Sequence, residues 1–294
     1  MARAATRYAR AVRETRKSVA GLVMLVDLCG AGCGLWLLHA DAWDLGRRSP
    51  VLSYDAAEYA LAARELAEHG RFATTYALPL ELAAHPRPPW PLAIVQPGLV
   101  VAEAAIFKLA PRQLRLAGRT LADWKRPDQR AWLIIPIPFT CFLILGASLA
   151  LATNKLLMRH APAMSVAWRM AAGAVVGLSF LLDPEAQHFA IGGFTELPFT
   201  YGLIGALAML ALDHAPRRPF LFGLLLGITG SFRGNMLWLA PLLAIAAAAL
   251  APRGRRARVL ALAGLGFLLP LAPWWFYKFH AFGSPAWDLT RFVV

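Results

Sequence analysis

Residues 252–277, PRGRRARVLALAGLGFLLPLAPWWFY, place a cluster of arginines directly before an apolar run over 258–277. A helix needs about 20 consecutive apolar residues to cross the hydrocarbon core of a bilayer, and this run has that length. In membrane proteins, arginine and lysine are enriched in the short loops on the cytoplasmic side. The stretch therefore predicts a membrane-spanning helix that starts at the cytoplasmic face.

Apolar runs of this kind recur along the chain. Of its 294 residues, 58% are hydrophobic, whereas a soluble domain is apolar over only about half of its length. The pattern predicts an all-α integral membrane protein, a polytopic helical bundle with a single transmembrane domain over 1–294. We expect about seven spans, near 19–39, 131–152, 167–182, 196–213, 220–232, 235–251 and 258–277.

Two features of the N-terminal region bear on the first span. A basic N-terminus and the small residues at 40–42 leave a cleaved signal peptide as the alternative. The length of the run favours an uncleaved span. Gly30 and Gly34 form a small-residue pair that is typical of close helix packing.

The net charge of +13 is distributed at the ends of the apolar runs. This placement predicts contact with anionic lipid headgroups and no binding of nucleic acid. The three cysteines have neither disulfide-framework nor zinc-ligand spacing, so no metal site is predicted.

The run at 91–110 decides the topology, because its composition suits a span poorly: it contains Pro91, Gln96, Pro97, Glu103 and Lys108. If it does not span, the N-terminus and the later basic clusters are all cytoplasmic, as the positive-inside bias requires. We therefore expect a large external loop over 40–130. Within it, 55–69 and 91–110 are expected to be helices at the membrane surface.

The external stretch SYDAAEYALAAREL at 53–66 becomes helical from Asp55 onward. Tyr59, Ala62, Ala63 and Leu66 recur at helical spacing and form one apolar stripe. Asp55 has two interpretations: it caps the free amide groups of the helix start, or it acts as a catalytic carboxylate. Glu58 stands three residues later, as in a capping box. Glu65 and Glu68 are expected on the solvated face.

Further polar residues are expected on the same external face. Glu196 opens a span, and Arg233 lies at the tip of a hairpin between two apolar runs. An arginine there either extends to the interface or binds a phosphate with its planar fork. His188, Lys278 and His280 lie in other external segments. Acids beside cations suit a site where an acceptor hydroxyl is deprotonated and a lipid phosphate leaves.

The order of several segments along the chain resembles a known family. These segments are YDAAEYALAARELAEHGRFATTY, HPRPPWPLAIVQPG, FTELPFTYGLIGALAML, GLLLGITGSFRGNMLWLAPLL and PWWFYKFHAFGSP. Together they resemble the polytopic GT-C glycosyltransferases, the class of the protein mannosyltransferases and the lipid A aminoarabinose transferases. The Asp-Glu pair of the mannosyltransferases is missing, since Ala56 follows Asp55. Members of the class usually continue beyond the equivalent of Val294, so a fragment or a C-terminally shortened form is expected.

The resemblance implies a membrane glycosyltransferase. Asp55 would be the general base, a sugar on a polyprenyl phosphate would be the donor, and the anomeric configuration would be inverted. A glycan, lipid or protein would accept the sugar, no cofactor is implied, and the need for a divalent metal stays open. The candidate substrate-binding residues are Glu58, Tyr59, His85, Arg87, His188, Glu196, Arg233, Lys278 and His280.

Two other classes of function stay open. A transporter or flippase for a lipid-linked sugar would share the spans and the basic cavity, and would be expected to show inverted repeats and broken helices. A non-catalytic membrane scaffold would need Asp55 and Glu196 only as helix caps. In each case we expect a multi-pass protein with a cytoplasmic N-terminus, and the composition favours a bacterial inner (plasma) membrane.

Overall fold

A computed structural model describes most of the chain. It covers a few helical residues between 21 and 32, and then 54–75, 85, 87–92, 95–110, 113–116, 119–123, 133–212 and 214–286, with backbone alone over 113–123. The chain is mostly helical, with few strands.

The helices are numbered here from the first one whose bounds are described. They are α1 Tyr54–His69, α2 Pro97–Leu109, α3 Pro136–His160, α4 Val166–Leu181, α5 Pro184–Ile191, α6 Glu196–Ala211, α7 Pro219–Phe232, α8 Met236–Leu250 and α9 Arg256–Phe282. A 3₁₀ turn, Arg253–Arg255, directly precedes α9. The bounds of α6 to α8 agree with the predicted apolar runs to within two residues.

Four short strands form two antiparallel ladders within the predicted external loop. Strand β1 (Ala73–Thr74) pairs with β2 (Trp90–Pro91), and β3 (Gln113–Leu116) pairs with β4 (Arg119–Asp123). No strand was predicted there. The first ladder is anchored by Tyr277, whose hydroxyl donates to the Phe72 carbonyl and accepts from the Leu92 amide at 3.0 Å.

The chain divides into two compact units. The first comprises 1–49 and 139–191, and it contains α4, α5 and nearly all of α3. Glycines allow close packing inside it: a Cβ added at Gly30 would lie 2.5 Å from Leu143 Cδ2. Gly30 thus faces the side chains of Leu143 and Leu181. The predicted packing role of the Gly30–Gly34 pair stays a prediction, because Gly34 lies outside the described residues.

The second unit comprises 50–138 and 192–294 and has two apolar clusters. In the first, α1 and α2 pack together with Leu92, Ile134 and Trp274. The buried residues of α1 include Ala62 and Ala63, which confirms the predicted stripe. The second cluster joins α6 to α9 and is centred on Phe222 and Leu226 of α7. The single transmembrane domain over 1–294 stays a prediction.

Helices α7 and α9 approach so closely that side chains are excluded between them. A Cβ added at Gly223 would lie 2.0 Å from the Ala263 carbonyl oxygen, and one at Gly266 would lie 2.3 Å from the Phe220 carbonyl oxygen. Both obstacles are backbone atoms, which cannot turn away. Small residues at such a crossing are typical of helices that pack within a membrane.

Among the described residues, two helices have the length and composition to cross a membrane: α3, and α9 taken with its preceding turn. A third span results if α4 and α5, which meet at a 59° bend, cross as one element. Helices α6, α7 and α8 are apolar but shorter, with 14 to 16 residues. The structure therefore supports two or three candidate spans, and the total of seven stays a prediction. The first predicted span lies mostly outside the described residues.

Candidate functional site

Four of the predicted site residues come together in the second unit: Asp55, Tyr59, Glu196 and Arg233. The phenol of Tyr59 shares a hydrogen bond with the side chain of Thr195 and interacts electrostatically with the other three. The start of α1 thus meets the start of α6 and the end of α7. Residues from distant parts of the sequence form one charged cluster.

Glu196 and Arg233 form an ion pair between Arg233 Nη1 and Glu196 Oε1. Glu196 is the first residue of α6, where a carboxylate is favoured by the helix dipole. Arg233 directly follows α7, with extended backbone at φ −145° and ψ 132°. Both side chains are about one-third exposed, at 35% for Arg233 and 31% for Glu196. The pair is therefore reachable from outside the protein.

Asp55 lies in the first turn of α1 and is exposed. Its carboxylate is favoured there by the positive end of the helix dipole. An exposed carboxylate can also accept a proton from a bound molecule. Both interpretations of Asp55 stay predictions, since a group at a helix start can stabilise the helix and also face a substrate.

Tyr59 lies one helical turn beyond Asp55 and is partly buried. Burial is the main cause that raises the pKa of Tyr59 to about 12, while the hydrogen bond with Thr195 acts in the opposite direction. Asp55 and Glu196 raise this pKa further, and Arg233 lowers it. Tyr59 is therefore a neutral phenol near pH 7. It can position a substrate hydroxyl but cannot act there as a base.

Two residues near this cluster were not predicted. Thr195 occupies the N-cap position of α6 but makes no capping hydrogen bond, and its side chain bonds to Tyr59 instead. Gln96 approaches the loop after Arg233, since a Cβ added at Gly234 would lie 3.3 Å from Gln96 Nε2. The only sequence signal for Thr195 is a hydroxyl directly before a helix. Gln96 precedes Pro97, which marks a helix start and gives no indication of a site.

Gly193 explains why the chain places Thr195 against α1. It adopts φ +71°, a left-handed conformation that favours glycine. An added Cβ there would lie 2.3 Å from Ile134 Cδ1 and 3.3 Å from Ala56 Cβ. The turn before α6 is therefore pressed against the first turn of α1, and the neighbouring Thr195 reaches Tyr59.

Other predicted site residues belong to a second cluster at the end of α9. His85 Nε2 lies 3.0 Å from the Ala281 carbonyl oxygen, and its ring meets Phe282 edge-on at 5.6 Å. Lys278 is buried, with its Nζ 5.6 Å from the ring centroid of Trp274. His280 is exposed and packs against Phe276.

The remaining candidates are placed as follows. Arg87 and His188 are exposed, and His188 belongs to the first unit. Glu58 is only 5% exposed, so it lies inside the protein, unlike Asp55 one turn earlier. The substrate-binding roles of these three residues stay predictions.

Glu65 was wrongly expected on the solvated face. It is buried, its carboxylate accepts a hydrogen bond from the Arg71 guanidinium, and its Oε2 lies 3.1 Å from His69 Nδ1. The cause is Gly70, which ends α1 in the left-handed conformation, at φ 69°. The chain turns back there and brings Arg71 beside Glu65.

A different buried acid, Glu103, lies on the packed face of α2. Its side chain is fully buried, and neither carboxyl oxygen has a hydrogen-bond partner among the described residues. Leu99 and Phe107, one turn to either side, are also buried. Burial raises the pKa of the Glu103 carboxyl well above its ordinary value. The folded protein therefore holds this proton to a higher pH than an exposed glutamate would.

We expect the wild-type protein to lose stability as the pH rises toward neutrality, and Glu103→Gln to remove this loss. The folded state keeps a proton on Glu103 that the unfolded chain releases above about pH 4.3. The free energy of unfolding therefore falls as the pH rises above this value, by up to about 1.4 kcal/mol per pH unit. Glutamine is uncharged throughout. Thermal unfolding from pH 5 to about pH 8 measures the difference. The exposed Glu185→Gln is the control and should keep the wild-type profile. Parallel profiles for wild type and Glu103→Gln would contradict the prediction.

A metal centre is not evident in the part of the chain that the structure describes, which contains no group of three or more His, Cys, Asp or Glu side chains able to hold an ion. The cluster around Asp55 instead combines two carboxylates, one guanidinium and two hydroxyls. Such a set can accept a proton and bind an anion.

Comparison with known proteins gives no relative: no family model, curated protein or solved structure matches this chain.

Proposed function

We propose that this chain is a multi-pass membrane glycosyltransferase. It moves a hexose or pentose from a polyprenyl phosphate to a glycan, lipid or protein acceptor, with inversion, on the external face of the inner membrane. One observation carries the proposal: Asp55 at the start of α1 shares a cluster with the Glu196–Arg233 ion pair and Tyr59. This cluster combines the base and the cation that such a transfer needs.

In the proposed reaction, Asp55 takes the proton of the acceptor hydroxyl as its oxygen attacks the anomeric carbon. The bond between that carbon and the phosphate oxygen breaks on the opposite side, and the polyprenyl phosphate leaves with the electron pair. Arg233 stabilises the negative charge that develops on the leaving phosphate. Tyr59 and Thr195 orient the acceptor by hydrogen bonds, as neutral hydroxyls can.

The Glu196–Arg233 pair suits a site that binds a phosphate and releases it again after each reaction. The arginine side chain has five N–H donors, and in Arg233 the Nη1 nitrogen donates to Glu196. The remaining donors can meet a phosphate with two parallel hydrogen bonds. Glu196 then serves to hold the guanidinium in place. The partial exposure of both side chains leaves room for a ligand to approach the pair.

The proposed membrane topology has seven spans and a cytoplasmic N-terminus. The short helices α6, α7 and α8 then cross where the bilayer thins around them, because a 14-residue helix is about 21 Å long and the hydrocarbon core is about 30 Å thick. Helices α1 and α2 lie at the external surface.

A transporter of lipid-linked sugars is the second candidate, favoured by the 59° bend between α4 and α5. Transporters build their binding sites from such interrupted helices. This function would need no proton transfer by Asp55, so retention of full function in Asp55→Asn would favour it.

We expect Arg233→Gln to abolish most of the activity while leaving the fold intact. Loss of one charged donor to a developing anion lowers turnover by roughly 10²- to 10³-fold, whereas a partly exposed ion pair contributes only about 0–1 kcal/mol to stability. Arg233→Lys keeps the charge but loses the planar fork, so its activity should be intermediate. The measurement is release of polyprenyl phosphate from a lipid-linked sugar in proteoliposomes, together with thermal unfolding.

The matched control for Arg233 is Arg218→Gln. Arg218 is exposed and lies directly before α7, at the end opposite Arg233. It should have wild-type turnover. If Arg218→Gln and Arg233→Gln lose activity equally, or if Arg233→Gln is fully active, the phosphate role of Arg233 is wrong.

A further inference from the structure

A cavity of about 630 Å³ lies where α7 begins, α8 ends and α9 begins. Three arginines line it: Arg217, Arg255 and Arg258. The rest of its described lining is apolar or proline, and it includes Leu250, Val259 and Leu262. The cavity is at the opposite end of α7 from Arg233. It is therefore separate from the cluster around Asp55.

The charges around this cavity are not balanced by the described part of the protein. No acidic side chain is among its lining residues, and none of the three arginines forms an ion pair with a described acid. Helices α7 and α9 both begin beside the cavity without an acid in the first turn, so their positive dipole ends add to the charge. Three guanidinium groups around one space repel each other unless an anion lies between them.

A fourth arginine in the same basic segment, Arg256, has a structural role. Arg256 donates to the carbonyl oxygens of Ala251 at 3.3 Å and Ala249 at 3.4 Å. It thereby caps the end of α8, as basic side chains at helix C-termini do. Arg217, Arg255 and Arg258 have no such role among the described contacts and border the cavity instead.

We propose that this cavity binds a phosphate group, carried by a phospholipid headgroup or by a soluble phosphate ester. The fork of arginine matches phosphate oxygens in pairs, and three arginines can surround one phosphate. The volume lies within the range of about 300–1,000 Å³ that is usual for ligand sites. The apolar lining accommodates the uncharged part of the ligand. The site does not depend on the proposed transferase activity.

The chain offers two matched pairs of variants for the test. Arg217 lines the cavity and its neighbour Arg218 does not; Arg255 lines it and Arg253 does not. All four are exposed, so each substitution by glutamine removes one charge without disturbing the core. The full chain is purified in an uncharged detergent and stripped of lipid. Dihexanoyl phosphatidic acid and inorganic pyrophosphate are then titrated separately by calorimetry.

The expected result is that at least one probe binds and that Arg217→Gln and Arg255→Gln weaken its binding by roughly tenfold or more each. Arg218→Gln and Arg253→Gln should bind within about twofold of wild type, because these side chains do not line the cavity and their exposed charges are screened by solvent and salt. Binding of the lipid alone identifies a headgroup site, and binding of both probes identifies a site for soluble phosphate esters. Absence of binding by both probes up to about 1 mM would overturn the proposal. Equal weakening by all four variants would also do so, since it indicates general attraction to a basic surface.

Discussion

We expect Gly223→Ala to destabilise the second unit strongly, by about 3 kcal/mol, the upper part of the range for an overpacked core. The new methyl would lie 2.0 Å from the Ala263 carbonyl oxygen of α9. Since the obstacle is backbone, the two helices must separate. Separation would open the facing contact at Gly266 as well, so the contacts along this helix pair would weaken together.

Gly264→Ala is the matched control, because it lies on α9 near this crossing and an added Cβ there would have no neighbour within 4 Å. Alanine is a better helix former than glycine, so this variant should gain about 0.5–1 kcal/mol. Thermal unfolding of the detergent-purified chain separates the two. If both variants unfold at the same temperature, the close approach of α7 and α9 is not what holds the unit together.

The helices that could be predicted from sequence are those with a continuous local signal. The stripe through Tyr59, Ala62 and Ala63 predicted α1, and the apolar runs predicted α6 to α8 to within two residues. The run at 258–277 predicted α9 but ended five residues before Phe282. Strands β1 and β2 were missed because each has only two residues, one of them Pro91, so there is no periodicity to detect. Residues 113–116 alternate polar and apolar side chains, but 119–123 do not, so the second ladder has only a partial signal in the sequence.

The candidate site could be predicted only in part. Asp55 could be predicted because it is an acid at a helix start, and Glu196 and Arg233 because each is a charged residue at the end of an apolar run. Thr195 could not be predicted, since its contact with Tyr59 depends on how α6 packs against α1. Glu65 was assigned to the wrong surface for the same reason: its partner Arg71 is brought back by the turn at Gly70. Tertiary contacts of this kind leave no trace in helix periodicity.

The second large effect is expected at Asp55. Asparagine has nearly the same shape and caps a helix about as well as aspartate, so Asp55→Asn should keep the fold. It cannot take a proton from an acceptor hydroxyl, and loss of a general base lowers turnover by about 10²- to 10⁴-fold. Its stability should fall by no more than about 1 kcal/mol, from the lost interaction with the helix dipole. A purely structural Asp55 would give no such loss of turnover.

The most direct measurement of the central claim is sugar transfer by wild type and Asp55→Asn. Full-length protein in proteoliposomes is supplied with a panel of undecaprenyl-phosphate sugars and membrane acceptors, and released undecaprenyl phosphate is quantified by mass spectrometry. Glu68→Gln, which alters an exposed carboxylate at the other end of α1, is the control. The account predicts release by wild type and by Glu68→Gln, and almost none by Asp55→Asn. Equal release by wild type and Asp55→Asn, or no release by wild type from any donor, would contradict it.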